Sequence, residues 1–401
     1  MVRSVAARLQ LFTSPPFDGR LPTATGPGGA SLTDIDAETH RRLLSALAAE
    51  PAPAPRRGWR GSLALLLCVL AIAWTLALAM AGGWLLLQGS VGSVVVGVLL
   101  LAFAFVLRPR VGTPPSGILA RAEHPTLYGL VDAAAVALGA PRVAGVVVDG
   151  AFSASVGTAG WRQRTYLRLG LPLIEALTPR ELAALLGHEL GHQVNRDPLR
   201  GHVAGVTDAT LATWTALLEP DHPWDVAGSG FARLAELATN ALLVALSLLP
   251  RAARAGLHRL VAPERQRAEY LADLMGARLG GTDAAVGMLR KLALAPLAEW
   301  ATQQAGLHGD DPVVLFERAL LDQDDAQRAR LQAAHEVEHL PLLASHPPAA
   351  LRIELLCARP REDGLLAWGT ADLAALRAEL AARQAAIARE VRTAYRASLY
   401  A

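Results

Sequence analysis

The longest uncharged stretch of the chain constrains its fold more than any other feature. From Gly61 to Leu107 there is no charged side chain. As a single helix this stretch would be about 70 Å long, whereas the hydrocarbon core of a bilayer is about 30 Å thick. We therefore expect it to turn back at Gln88-Gly89-Ser90 and to form a helical hairpin that spans a membrane twice.

Arginines on both sides of the hairpin predict its orientation. Arg56, Arg57 and Arg60 precede it, Arg108 and Arg110 follow it, and the turn between the two spans carries no charge. The positive-inside rule then places both ends in the cytosol. The prediction is a multi-pass protein of the cell membrane whose remaining chain, and any catalytic site in it, faces the cytosol. A hydrophobic content of 52% agrees with a membrane protein.

The composition of the chain divides it into four parts. Residues 1–60 are predicted to be a mobile cytosolic tail that ends in a Pro-rich spacer, and residues 61–107 are the hairpin. A catalytic domain is expected over 115–356, followed by a helical extension over 357–401. Two apolar runs within 203–250 fit either core helices or two further transmembrane helices, and composition leaves both readings open.

One short motif predicts the chemistry of this domain. His188-Glu189-Leu190-Gly191-His192 places two imidazoles one helical turn apart, with a carboxylate beside the first, which is half of a zinc hydrolase site. Thr178-Pro179-Arg180-Glu181 reads as a capping box that starts the helix before the motif. Both imidazoles can therefore reach one ion, with Glu189 as a candidate base.

The same pattern occurs a second time, at His335-Glu336-Val337-Glu338-His339. This copy lies in polar surroundings, no capped apolar helix precedes it, and Pro341 would end its helix. We interpret it as a chance occurrence at a solvated helix end.

A catalytic zinc needs a third protein ligand, which must come from elsewhere in the chain. Glu269 is the candidate because Asp273 follows it by one helical turn and could orient a ligating imidazole. Glu264 is the competing carboxylate and lacks such a partner.

With these motifs in this order, the chain resembles the HtpX-like integral-membrane zinc metallopeptidases, relatives of the CAAX prenyl endopeptidase. The resemblance rests on three segments: His188 to His192 with Asp197 five residues on, Glu269 to Asp273, and Ser345-His346-Pro347-Pro348 with Arg352.

The resemblance implies roles for individual residues. His188, His192 and Glu269 would bind one zinc ion, Glu189 would be the catalytic base, and His346 with Arg352 would lie near the developing oxyanion. Asp273 and Asp197 would not bind the ion themselves but would orient the side chains that do. The chain departs from the family pattern at Ser153-Ala154, where Asn-Ala is usual, and at Gln266, where an arginine is usual.

Three β-branched segments predict a small sheet beside the motif. They are Val143 to Val148, Ser153 to Gly157 and Thr165 to Leu169. The predicted fold is mainly α with a small antiparallel sheet: a membrane-anchored, gluzincin-like HExxH zinc metalloprotease with an N-terminal transmembrane hairpin. The edge of such a sheet could accept an extended peptide as an added strand.

The predicted function is a membrane-bound zinc endopeptidase whose partners are polypeptide substrates and the lipid bilayer. By resemblance, the substrates would be misfolded or membrane proteins cut at the cytosolic face. The alternatives are a processing protease with a single substrate and a non-catalytic scaffold that holds zinc for structure. A net charge of +2 gives no reason to expect a nucleic-acid partner, and two distant cysteines, Cys68 and Cys357, provide no disulfide framework.

Overall fold

The computed structural model describes Leu47 and residues 59–108, 112–160, 162–194, 198–219, 230–323, 326, 329, 331 and 347–399. Helices dominate these residues, and one three-stranded sheet lies among them. The helices are α1 (Trp59–Leu87), α2 (Val91–Leu107), α3 (Pro125–Leu138), α4 (Leu171–Ala176), α5 (Pro179–Val194), α6 (Pro198–Leu218), α7 (Gly230–Gly280), α8 (Thr282–Lys291), α9 (Ala295–His308), α10 (Pro312–Asp322), α11 (Ala349–Ala358) and α12 (Thr370–Ser398). The strands are β1 (Val143–Asp149), β2 (Ala154–Ala159) and β3 (Arg164–Gly170).

The uncharged stretch forms α1 and α2, which pack against each other. Between them the chain turns at Gly89, whose φ of 71° lies in the left-handed region, and the hydroxyl of Ser90 accepts a hydrogen bond from the amide of Ser93 at the start of α2. The two helices approach closely at Gly82 and Gly97, where a Cβ on Gly82 would lie 2.9 Å from the Gly97 carbonyl oxygen. The uncharged stretch therefore reverses its direction at Gln88-Gly89-Ser90, where the sequence predicts the turn.

Two helices of the described chain are long and apolar enough to cross a bilayer. They are Gly61–Leu87 and a part of Gly230–Gly280, and only 17% and 6% of their most apolar windows are buried within the protein. Helices of a soluble core would be mostly buried, so these apolar surfaces face away from the rest of the protein.

The sheet is mixed, so the predicted all-antiparallel sheet is wrong. Its order is β1-β3-β2, with β3 antiparallel to β2 and parallel to β1. The short link between β1 and β2 crosses the end of β3, where the amide of Gly170 donates to the Ser153 carbonyl oxygen (2.8 Å) and a side chain would collide with Ala151. This crossing places β3 between the two earlier strands.

The most extensive contact between helices joins α5, which carries the motif, to the last part of α7. Glycines make it possible. A Cβ on Gly187 would lie 2.7 Å from the carbonyl oxygen of Met275, and a Cβ on Gly276 would lie 2.8 Å from the carbonyl oxygen of Ala184. The two backbones are therefore in direct contact, one helical turn from His188.

Helix α7 is longer than the sequence suggested. It runs for 51 residues, about 75 Å, and continues through Pro250 and Pro263. In its middle, Asp208 of α6 contacts Nε of Arg254 (2.8 Å) and Nε2 of His258 (2.5 Å) on α7. The one acidic side chain in the apolar run of α6 is thus paired at the contact between the two helices.

The C-terminal helix α12 shares the main core with α5. Leu373, Leu376, Leu380 and Ile387 belong to the same buried cluster as the apolar face of α5. Glu379 of α12 also accepts hydrogen bonds from the amides of two residues in the first turn of α3, at 2.8 and 2.9 Å. A carboxylate at a helix N-terminus stabilises that helix, so α12 holds α3 in place.

Gly276→Ala is expected to destabilise the protein by about 1–3 kcal/mol, because the new methyl group meets backbone rather than a movable side chain. Gly129→Ala is the matched control: it lies in α3 with open space around it, so it should be neutral or stabilising by about 0.5–1 kcal/mol. Thermal unfolding of the detergent-solubilised protein measures both. Equal shifts would contradict the proposed backbone contact.

Candidate metal centre

The capping box predicted before the motif is present and fixes the start of α5. The Thr178 amide donates to the Glu181 carboxylate (2.7 Å), and the Glu181 amide donates to the Thr178 hydroxyl (3.4 Å). Glu181 also accepts from Nζ of Lys291 at 2.6 Å, which ties α5 to α8. From this start, His188 and His192 fall on one face of α5, with their rings edge to face and centroids 4.8 Å apart.

Side-chain atoms of three residues converge at this face of α5. Nε2 of His188 and Nε2 of His192 are 3.3 Å apart, the first lies 3.6 Å from Oε2 of Glu269, and the second lies 3.5 Å from Oε1 of Glu269. Zinc bound tetrahedrally at 2.0–2.1 Å needs ligand atoms about 3.3–3.4 Å apart. The three residues therefore fit a zinc ion in both spacing and donor type. Among the described residues, these three have potential ligand atoms that all lie within 4.8 Å of one another.

Asp273 orients the first of these imidazoles. Its Oδ1 lies 3.0 Å from Nδ1 of His188. With the proton on Nδ1 donated to this carboxylate, the lone pair of Nε2 points towards His192 and Glu269, as a metal ligand requires. Burial lowers the pKa of His188, but the hydrogen bond and charge of Asp273 outweigh it and raise that pKa overall.

Arg352 of α11 holds Asp273 from the other side. Its Nε donates to Oδ2 of Asp273 (2.8 Å) and its Nη2 to Oδ1 (2.6 Å), while Nη2 also lies 3.4 Å from Nδ1 of His188. Burial raises the pKa of Asp273, yet the charge and hydrogen bonds of Arg352 hold it well below its usual range. Both side chains are almost fully buried. The pair therefore remains ionised within the core.

The two candidate carboxylates of α7 lie in different surroundings. Glu269 is 7% exposed and faces the imidazoles, whereas Glu264 is exposed and lies outside the group of potential ligands. The base candidate Glu189 is also 7% exposed and contributes to the electrostatic environment of both His188 and Arg352.

Of the eight predicted site residues, the structure brings six together, and the other two lie outside the described residues. The six lie in one region, where His192 is partly buried and the others are buried: His188, Glu189, His192, Glu269, Asp273 and Arg352. His346 and Asp197 are outside the described residues, as is the second HExxH copy at 335–339.

Sequence reasoning missed the bond between Arg352 and Asp273, because the resemblance placed the arginine near the oxyanion instead. It also made no use of the spacing Gly187-x₃-Gly191, which signals close helix packing.

Comparison with known proteins agrees with this geometry. The protein named "Protease HtpX homolog" of Pyrobaculum calidifontis is 28% identical over 291 residues, which cover 66% of this chain and 76% of that protein. The protein of the same name from Pyrobaculum islandicum is 26% identical over 304 residues, which cover 68% of this chain and 77% of that one. No solved structure matches the chain.

A family model covers the elements that build the site. The model of Peptidase family M48 matches residues 129–359, a range that begins in α3 and ends just after α11. This range is more than half of the chain and includes His188, His192, Glu269, Asp273 and Arg352. The resemblance to the HtpX-like metallopeptidases is confirmed: the chain belongs to Peptidase family M48 and is a metallopeptidase related to the HtpX proteases.

Proposed function

We propose that the chain is a membrane-anchored zinc endopeptidase that cuts polypeptides at the cytosolic face of the cell membrane. The observation that carries this proposal is the convergence of His188, His192 and Glu269, whose imidazole nitrogens lie 3.3 Å apart and 3.6 and 3.5 Å from the two carboxylate oxygens, close to the spacing around one tetrahedral zinc ion. Two imidazoles and one carboxylate leave a fourth position for water, as in catalytic rather than structural zinc sites.

Each residue around the ion has a separate role in the proposed peptide hydrolysis. When bound, zinc lowers the pKa of a water to about 7 and polarises a carbonyl group. The Glu189 carboxylate accepts the proton of the attacking water and delivers it to the nitrogen of the leaving amine. Asp273, fixed by Arg352, keeps the Nε2 lone pair of His188 on the ligand side. His346 remains the predicted donor to the oxyanion.

An open strand edge beside the site supports a polypeptide substrate. β2 pairs with β3 on one side, contacts α5, and has no other strand partner among the described strands. The other edge of the sheet is partly covered, because Ile118 bridges to Val147 of β1. An extended substrate could therefore add to β2 as a further strand and present its peptide bond to the ion.

The arrangement of the apolar helices supports a membrane anchor and a cytosolic site. The packed helices α1 and α2 lie over 61–107, where the N-terminal transmembrane hairpin is predicted, and arginines flank this stretch in the sequence. α6 starts just after the motif and the last part of α7 carries Glu269, so this second pair would leave and re-enter the membrane on the side of the metal centre. We include it among the membrane helices because the acidic residue of α6, Asp208, is paired within the helix contact.

Glu269→Gln is expected to lower zinc content sharply, since it removes a charged ligand at nearly constant volume. Glu264→Gln is the matched control on the same helix and should retain zinc like the wild type, because its side chain is exposed. Metal analysis of the purified proteins after dialysis measures both. Similar zinc loss in the two variants would mean that Glu269 is not the ligand.

Glu189→Gln separates the enzyme from a zinc-holding scaffold. This variant should keep its zinc, because the three proposed ligands are intact, but should lose at least about 10² in the rate of cleaving an unfolded peptide. Wild-type cleavage should also stop with a chelator and return with zinc. Equal rates for Glu189→Gln and wild type at matched zinc content would refute the assigned mechanism.

Reporter fusions test the membrane topology. A reporter after Arg110 should be cytosolic, and reporters inserted at Gly89 or between Pro220 and Asp225 should be external, because these points lie between consecutive proposed spans in the sequence. A cytosolic Gly89 reporter would overturn the hairpin. A cytosolic reporter between Pro220 and Asp225 would overturn only the second pair of spans.

A further inference from the structure

The turn that joins β2 to β3 carries two exposed arginines. Strand pairing ends at Ala159 and Arg164. Within the turn, the backbone amide and the side-chain nitrogen of Gln163 both donate to the Gly160 carbonyl oxygen, at 3.0 and 2.7 Å, and these bonds fix the turn. Arg162 and Arg164 are exposed, and neither forms an ion pair with an acidic side chain of the described chain. We call these two arginines the basic tip.

The basic tip is held beside the chain that leaves α2. The amide of Gly160 donates to the Gly112 carbonyl oxygen at 2.8 Å. A Cβ on Gly112 would also lie 3.5 Å from the carbonyl oxygen of Thr158, so the two segments are in contact. Gly112 is five positions after Leu107, the last residue of α2, and five residues span at most about 18 Å. The turn therefore lies near the end of α2.

Both segments that meet at this contact lack acidic side chains. None occurs from Gly61 to Ala122 or from Gly150 to Ile174. Other arginines of these stretches are paired with aspartates from outside them: Arg121 with Asp132, and Arg168 with Asp149. The basic tip therefore adds unpaired positive charge to the arginines that flank α2 in the sequence.

Positive charge at this place would lie beside the headgroup layer of the membrane. α2 is the predicted second span, so its last residue marks the boundary of the hydrocarbon core, and the headgroups extend about 5–8 Å beyond that boundary. An anionic leaflet attracts basic residues within a Debye length of about 8–10 Å. A weak contact suffices here, because the connection to α2 keeps the arginines at a high effective concentration near the lipid.

We propose that the basic tip is a contact site for anionic lipid headgroups, in which the guanidinium groups of Arg162 and Arg164 bind lipid phosphates. Arg164 pairs with Ala159 at the end of β2, so the contact holds that end of the open strand edge at the membrane surface. The inference rests on the proposed membrane anchor and is independent of the proposed zinc site.

Hydrogen exchange of the full-length protein in nanodiscs tests this contact. One set of discs contains phosphatidylcholine alone, and the other contains equal parts of phosphatidylcholine and phosphatidylglycerol. Exchange of the β2 and β3 amides should be slower in the anionic discs by at least about fivefold, because one arginine at an anionic surface stabilises the closed β-hairpin by that factor. The double change Arg162→Glu, Arg164→Glu should remove this difference between the two lipids.

The matched control is the double change Arg318→Glu, Arg389→Glu. It alters the net charge by the same amount at two exposed arginines of α10 and α12. α10 packs at the opposite end of β2, where Phe316 contacts Phe152 with ring centroids 5.4 Å apart. The control should keep the wild-type dependence on lipid. If the tip variant keeps it as well, the lipid contact is refuted.

Further measurements separate the alternatives. Arg162→Gln with Arg164→Gln serves if the glutamate variant does not fold, and it should reduce the lipid dependence to a smaller extent. Inorganic phosphate added to the phosphatidylcholine discs should leave exchange unchanged, and slower exchange there would replace the lipid contact by a site for a free anion. A protein that does not enter nanodiscs would overturn the membrane anchor and this contact together, whereas absence of zinc binding or cleavage would overturn only the proposed peptidase.

Discussion

The direct backbone contact between α5 and α7 is the constraint on which the metal centre depends. The close approach of the two helix backbones sets the distance at which the two imidazoles on α5 meet the carboxylate on α7, since helices ordinarily pack 8–10 Å apart. Gly187 and Gly276 provide this approach at the level of His188. Glycines also allow the close packing of α1 against α2, at Gly82 and Gly97. Small residues thus set the spacing both at the site and in the apolar hairpin.

The buried ion pair behind the ligands has a positional rather than a stabilising role. Taking Asp273 and Arg352 out of water costs several kcal/mol per ion, so such a pair contributes little net stability. It does fix the direction of the Asp273 carboxylate, which in turn fixes the His188 ring and its tautomer. Removal of one partner leaves an uncompensated charge next to the ligands, and this makes the pair sensitive to any movement of α11.

The chemistry of the site could be predicted from local sequence, because its signals lie within one or two helical turns. The His188 and His192 spacing, the Thr178 capping box and the choice of Glu269 over Glu264 all depend on neighbours one turn apart. The structure forms the capping box and brings His188, His192 and Glu269 together, while their roles as metal ligands stay predictions. The contact of Arg352 with Asp273 joins segments far apart in the chain, and no local pattern encodes it.

The errors in the predicted fold also arise from contacts between segments that lie far apart in the chain. β1 and β3 are parallel because the link between β1 and β2 crosses the end of β3 at Gly170, and strand spacing alone favours a simple antiparallel order. The helix through Pro250 and Pro263 loses a backbone hydrogen bond at each proline, which local rules treat as an end. Packing of α7 against α1, α5 and α6 offsets that loss. The burial of Leu47 likewise could not be predicted from the sequence, because only its contacts in the structure distinguish it from other leucines.

The continuity of α7 also determines how the protein can be divided. Its apolar first part and its last part, which carries Glu269, are one helix, so the exposed apolar surface proposed to face lipid and a proposed metal ligand share a single structural element. Deletion of the N-terminal hairpin therefore cannot release a water-soluble peptidase, because the apolar turns before Pro250 remain within the catalytic sequence. Removal of those turns would shorten the helix that contacts both α6 and α5. A soluble form would require replacement of the exposed leucines of α7 by polar residues, with its length left intact.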